Sequence, residues 1–205
     1  MDILLDATEA RVLGSLLEKE IATPEYYPLS LNALVNACNQ KSNREPIVAY
    51  DEDTVEAALE SLRVKGLALR ITGRESRVPK HAQRFTEEFN LGRREAALLC
   101  VLLLRGPQTL GELRGRTERL YTFDDLEAVE HTLEHLAGMG FASKPLRYAG
   151  SREPRYGHLL SGDVSEDAAP PVSERPAPDR DRIAVLERQL AELRQEFDDF
   201  RRRFE

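Results

Sequence analysis

An internal repeat restricts this chain more than any other feature. Glu9-Ala10 followed by Val12, Leu13, Leu16 and Leu17 recurs as Glu95-Ala96 followed by Leu98, Leu99, Leu102 and Leu103. Both runs space apolar side chains three and four residues apart, the period of one helix face. Ser30-Leu31 to Leu34 then matches Thr109-Leu110 to Leu113, and Thr109 with Glu112 has the spacing of a reciprocal cap at a helix start. The third match is the longest. Val55, Glu56, Leu59, Glu60, Leu62, Gly66 and Ala68 recur in register as Val129, Glu130, Leu133, Glu134, Leu136, Gly140 and Ala142. A helix that ends at glycine, which takes a left-handed cap without a Cβ penalty, is expected to lead into a short apolar strand, Leu67 to Ile71 in the first copy. A basic, turn-rich stretch follows in each copy, over 73–80 and 150–156.

Three helices and a β-hairpin describe a winged helix. The expected fold is therefore mainly α with small β-hairpin wings, in two tandem winged-helix domains over 1–88 and 89–161, each within ordinary domain size. Residues 162–182, with their prolines, serines and acids, read as a disordered linker. Beyond it Ile183, Leu186, Leu190, Leu193, Phe197, Phe200 and Phe204 alternate three and four apart, the seam of a coiled-coil helix over 183–205. With Ile183 at the first heptad position, Arg182 faces Glu187 and Glu196 faces Arg201 across a parallel pair, so a homodimer is expected. The alternative is that the stripe folds back on its own domain, because phenylalanine is an unusual choice for a two-stranded seam.

Several stretches carry a family resemblance: Leu17-Glu18-Lys19-Glu20, Pro28 to Ala33, Ala37-Cys38-Asn39-Gln40-Lys41-Ser42-Asn43-Arg44-Glu45-Pro46, and Leu102 to Arg114. Over about residues 6–162 the chain resembles the bacterial YceH family of uncharacterised proteins. The resemblance implies tandem winged helices and brings no reaction, ligand or partner, so function is argued from the residues themselves.

Charge excludes one class of partner surface. The formal net charge is −7, and neither repeat has the basic balance of a domain that binds nucleic acid mainly through phosphates. Any such contact is left to local patches. No apolar run approaches the roughly 18 residues that span a bilayer, so no membrane role is expected. Early acids in MDILLDATEA do not suit a secretory leader, which makes a cytoplasmic location the expectation. Cys38 and Cys100 sit in separate apolar helical contexts and read as small buried hydrophobes.

A winged helix that reads DNA puts its third helix in the major groove. Here that helix carries Asp51, Glu52, Asp53, Glu56 and Glu60 in one copy and Asp124, Asp125, Glu127, Glu130 and Glu134 in the other. Acids near a helix start are favourable for the dipole without any function, but they would also face phosphates, which argues against ordinary groove reading. Cations flank these helices. Lys41 and Arg44 precede the first, Arg114, Arg116 and Arg119 the second, and the wings hold Arg74, Arg77, Lys80, Arg152 and Arg155. Wing-led contact with a nucleic-acid backbone and simple solubility of an exposed hairpin both fit these cations. Asn39, Gln40, Lys41, Asn43 and Arg44 form an amide-rich loop that suits turn chemistry or a bound group.

The string His131-Thr132-Leu133-Glu134-His135 matches an inverted zinc-protease motif. Leu133 belongs to the apolar stripe, which puts both histidines on the outer face, and no third ligand is evident, so no catalytic metal and no cofactor are expected. Phosphate loops, Cys-x-x-Cys pairs and nucleophile elbows are missing from the sequence. The expectation is a non-enzymatic interaction protein with a protein partner and an open nucleic-acid contact, the alternative being a DNA-binding transcriptional regulator. Finally, Ala96 to Leu104 is apolar on every face, so this helix is expected to be buried between domains or subunits.

Overall fold

Asp6 starts the chain's first helix. Its carboxylate accepts the Glu9 amide at 2.8 Å, and the Glu9 carboxylate accepts the Asp6 amide at 2.8 Å, a reciprocal cap that satisfies two otherwise orphaned donors. Helix α1 then runs Ala7–Ala22. The computed structural model describes residues 3–72, 78–146 and 153–162. The described residues all fall within one compact unit.

Among the described residues seven α-helices and one small sheet follow in order. After α1 come β1 (Leu29–Ser30), α2 (Leu31–Cys38), α3 (Glu52–Val64), β2 (Ala68–Ile71), β3 (Lys80–Gln83) and the short α4 (Phe85–Glu88). The later elements are α5 (Arg93–Arg105), α6 (Leu110–Thr117) and α7 (Leu126–Gly138). The sheet is antiparallel with order β1-β3-β2, pairing Leu29 with His81 and Ala68 with Gln83.

Local chemistry recurs between the two halves. Ser30 Oγ accepts the Ala33 amide at 3.3 Å to start α2, and Thr109 Oγ1 accepts the Glu112 amide at 3.2 Å to start α6. Asp51 and Asp125 cap α3 and α7 by accepting the amides of Thr54 and Ala128. Gly66 and Gly140 close those helices at φ 75° and 80°, the left-handed region that the sequence pattern required. In the second half single antiparallel pairings join Gln108 to Tyr156, Ala142 to His158 and Leu146 to Arg155. Gln108 therefore meets Tyr156 as Leu29 meets His81, and Ala142 meets His158 as Ala68 meets Gln83.

The core is built on α1 and α5, the first helices of the two copies. Every residue of α5 from Ala96 to Leu104 is buried, as its all-round apolarity predicts. Its neighbour α1 is buried continuously from Glu9 to Glu18 although it contains Glu9, Arg11, Ser15 and Glu18. The two helices meet at Gly14, where a Cβ would lie 2.9 Å from Leu104 Cδ2 and 3.0 Å from Leu103 Cβ. A side chain there would force Leu103 or Leu104 to shift. Cys100 is the residue in register with Gly14 in the repeat, and its Sγ lies 3.5 Å from the Gly14 carbonyl oxygen. Both cysteines are free and buried, and burial pushes each thiol pKa up. A cluster of Phe85, Phe89 and Phe141, with ring centroids 4.9–5.2 Å apart, links α4 to the end of the α7 hairpin. The Leu5 amide donates to the Leu160 carbonyl at 2.6 Å, bringing the two ends of the described fold together.

Candidate functional site: a guanidinium seam and two acidic helices

Glu18 is 1% exposed on α1, with a carboxylate that must be paired to remain charged. Arg44, from the α2–α3 loop, donates Nη2 to Glu18 Oε2 at 2.6 Å, and Arg119, just past α6, donates to Oε1. Burial alone would raise the Glu18 pKa, but Arg44, Lys19 and Arg119 together hold it below the usual carboxylate range. Arg44 is 5% exposed and spends its remaining donors on the Ala37 and Asn43 carbonyl oxygens. The turns that precede α3 and α7 thus converge on one buried carboxylate.

The α2–α3 loop is fixed at further points. Arg11 donates to the Cys38 and Pro46 carbonyls at 3.1 and 2.5 Å. Asn39 exchanges bonds with the Tyr50 backbone at 2.7 and 2.8 Å, so its amide is consumed by the loop itself. Asn43 has φ 59°, and its side-chain oxygen accepts Arg105 Nη2 at 2.6 Å. The Glu45 amide donates to the Leu104 carbonyl at the end of α5. Gln40 is half-buried and Lys41 exposed.

Arg105 is a cation under pressure from its surroundings. Burial lowers its pKa first, and the like charges of Arg116, Arg119 and Arg44 lower it further, with Glu45 opposing. Below it Glu112 accepts Arg155 Nη1 at 2.8 Å and the Thr109 amide at 3.0 Å, while Arg116 stands 3.6 Å away, beyond hydrogen-bond distance. Burial would raise the Glu112 pKa, but the Thr109 amide and the charges of Arg155 and Arg116 hold it low. Arg155 also donates to the Pro107 carbonyl at 3.0 Å, so this cation braces the start of α6. Arg114 is exposed and ties the α6–α7 turn through the Phe123 and Asp124 carbonyls.

The sequence-predicted positions therefore separate. Arg44, Asn43, Arg116 and Arg155 come together around the seam, whereas Lys80 lies half-buried in β3. Arg74, Arg77 and Arg152 lie outside the described residues, as do the seam positions Ile183, Leu186, Leu190, Leu193, Phe197, Phe200 and Phe204. Arg105 and Glu18 escaped the sequence reading because each sits toward the end of a helix read for its apolar stripe.

The two third helices present their acids outward. Glu52, Asp53, Glu56 and Glu60 on α3 are exposed, as are Glu127, Glu130 and Glu134 on α7. Glu60 pairs with Arg63 at 3.3 Å, and Glu130 accepts the Tyr156 hydroxyl at 3.5 Å. Val129, Leu133 and Leu136 are buried, which leaves His131, Glu134 and His135 exposed on the opposite face. Among the described residues no group of three or more His, Cys, Asp or Glu side chains could hold a metal, and no helix is long and apolar enough to cross a membrane.

The family profile described as "Protein of unknown function, DUF480" matches residues 5–154. The chain belongs to this family. A UPF0502 protein of Solibacter usitatus is 67% identical over 207 residues, covering all of both chains. One of Pelobacter propionicus is 49% identical over 221 residues, again across the whole of both. A third, of Opitutus terrae, is 52% identical over 194 residues, covering 93% of this chain and 84% of its own. The resemblance to an uncharacterised bacterial family drawn from the sequence is borne out by this DUF480 and UPF0502 membership. Family membership names no ligand, so the DUF480 chain is read from its surfaces.

Proposed function

We propose that this DUF480 chain is a non-enzymatic, cytoplasmic interaction protein built from two tandem winged helices, whose acidic third helices dock a protein partner with a basic surface. One observation carries the reading: α3 and α7, the helices that a DNA-binding winged helix inserts into a groove, expose Glu52, Asp53, Glu56, Glu60, Glu127, Glu130 and Glu134. Phosphates would be repelled there, while lysines and arginines of a partner would be steered in. The recurrence of the same strand pairings in each half supports the tandem arrangement. Exposed Arg70 and Lys144, at corresponding positions after the third helix of each half, favour a second, nucleic-acid-facing surface. The heptads over 183–205, which lie outside the described residues, are proposed to pair two copies.

The test compares the full chain with Glu56→Lys/Glu130→Lys. Affinity capture is expected to recover a protein that this variant loses, and mixed duplex DNA is expected to bind only weakly and to be released between about 50 and 200 mM salt. Identical captured proteins from both forms, or DNA binding that withstands the higher salt, would overturn the reading in favour of a transcriptional regulator. Removing 181–205 is expected to convert a dimer to monomers by light scattering. A dimer that survives the truncation would place the pairing surface elsewhere.

A further inference from the structure

Each arginine of the seam, taken singly, has a structural explanation. Arg105 and Arg116 occupy the last turns of α5 and α6, where a cation complements the helix dipole. That accounts for their positions in the chain but not for their convergence, since gathering like charges is unfavourable unless something answers them. Glu45 answers Arg105 by charge and Glu112 Oε1 stands 3.6 Å from Arg116, so neither accepts a hydrogen bond from these arginines among the described residues. Both Glu18 oxygens are taken, one by Arg44 and one by Arg119, and Glu112 Oε2 is taken by Arg155 and the Thr109 amide.

Donors remain unspent. A guanidinium has five N–H donors. Among the described residues Arg105 uses one, to the neutral amide oxygen of Asn43, and Arg116 uses none within hydrogen-bond distance. Arg119 commits a single nitrogen to Glu18 while half its side chain stays exposed, and the Arg116 side chain is 28% exposed. Arg119 thus joins buried Arg44 through Glu18, Arg105 joins it through Asn43, and Arg116 lies close enough to Arg105 to bear on its charge. The loop that carries Asn43 is fixed to α5 through Glu45 and to α1 through Arg44 and Glu18, so the arrangement is held before anything binds.

We propose that Arg105, Arg116 and Arg119, where the ends of α5 and α6 meet the α2–α3 loop held by buried Arg44, bind a phosphate group. A planar carboxylate matches one guanidinium fork, whereas a tetrahedral phosphate offers oxygens to several forks arriving from different helices. The site is independent of the exposed faces of α3 and α7. It assigns a ligand chemistry to the seam, supplied either by a free phosphorylated compound or by a nucleic-acid backbone.

The experiment titrates the full chain with inorganic pyrophosphate by calorimetry at low salt. One saturable site per chain is expected, weakened at least about tenfold in Arg105→Gln/Arg116→Gln, the scale of one lost charge-assisted bond. Arg116→Gln alone, which leaves the Asn43 bond intact, is expected to weaken binding while lowering the Tm without pyrophosphate only slightly, by the loss of one long ion pair and one dipole contact. The charge-preserving Arg116→Lys should fall between it and the wild type, because lysine keeps the charge and loses the fork. Glu56→Lys/Glu130→Lys should bind pyrophosphate normally, which separates failure here from failure of the partner-docking reading. Competition by duplex DNA identifies a backbone phosphodiester as the source, and its absence identifies a free compound. No saturable binding, or wild-type affinity in the double variant, would overturn the proposal.

Discussion

Glu18→Gln is expected to lower the unfolding free energy by about 3–5 kcal/mol, the scale for leaving a buried charge without its partner. The substitution preserves size and removes the charge that answers Arg44, whose side chain is fully buried. Arg44 cannot turn to water, because its guanidinium is held against the Ala37 carbonyl at the end of α2. Arg44→Met is the milder change, since Glu18 retains Arg119 and Lys19. The double variant Glu18→Gln/Arg44→Met should therefore cost less than the sum of the single ones, as residues in one network couple. Urea unfolding measures all three, and an unchanged m-value would confirm that the folded state and not the unfolded one was altered. A loss below about 1 kcal/mol for Glu18→Gln would show the pair to be worth no more than a surface ion pair.

The same residues explain what was legible in the sequence. Helix α5 announced its burial because Ala96 to Leu104 contains no polar side chain. Its partner α1 is buried just as continuously, yet Glu9, Arg11 and Glu18 interrupt its apolar pattern. Those interruptions are answered by Lys65, by the Cys38 and Pro46 carbonyls, and by Arg44 with Arg119. Their partners lie as far as 101 residues away in the chain, and periodicity reads only what is local. The capping box at Thr109 and the glycines at 66 and 140 were readable for the opposite reason, since each is set by bonds within a few residues. Arg44 looked like an exposed loop cation beside Lys41, but only Lys41 reaches solvent. A sequence cannot show which of two neighbouring cations finds a buried carboxylate. Helix α4 and its Phe85 contact with Phe141 were likewise hidden, because four residues carry no period.

His158 makes folding stability depend on pH. It pairs through its backbone with Ala142 in the second half, at the place that Gln83 holds in the first, and its Nδ1 is buried without a hydrogen-bond partner among the described residues. Burial lowers the imidazole pKa from its ordinary value near 6.5 to about 4 in the folded chain. Between those two values the unfolded chain binds a proton that the folded chain refuses, so stability rises with pH across the window and is lost as the solution is acidified. By pH 4.5 the group is expected to remove about 2 kcal/mol of the stability present at pH 7.5, after allowance for the part of the ring that reaches the surface. His81 has the same sign, lowered by burial and by Arg70, so the wild-type slope contains both. His158→Gln, which installs the residue of the first half, isolates the larger contribution. Its stability should fall less steeply than that of the wild type between pH 6.5 and 5, a range above the titration of Glu9, Glu18 and Glu112, whose partners hold them low. Parallel slopes for the two proteins would mean that the imidazole is hydrated in the folded state and that the second hairpin is looser than its pairings indicate. A flattened slope would place the burial of an uncharged imidazole among the determinants of that hairpin, as the amide of Gln83, bonded to Glu20 and Thr86, is in the first.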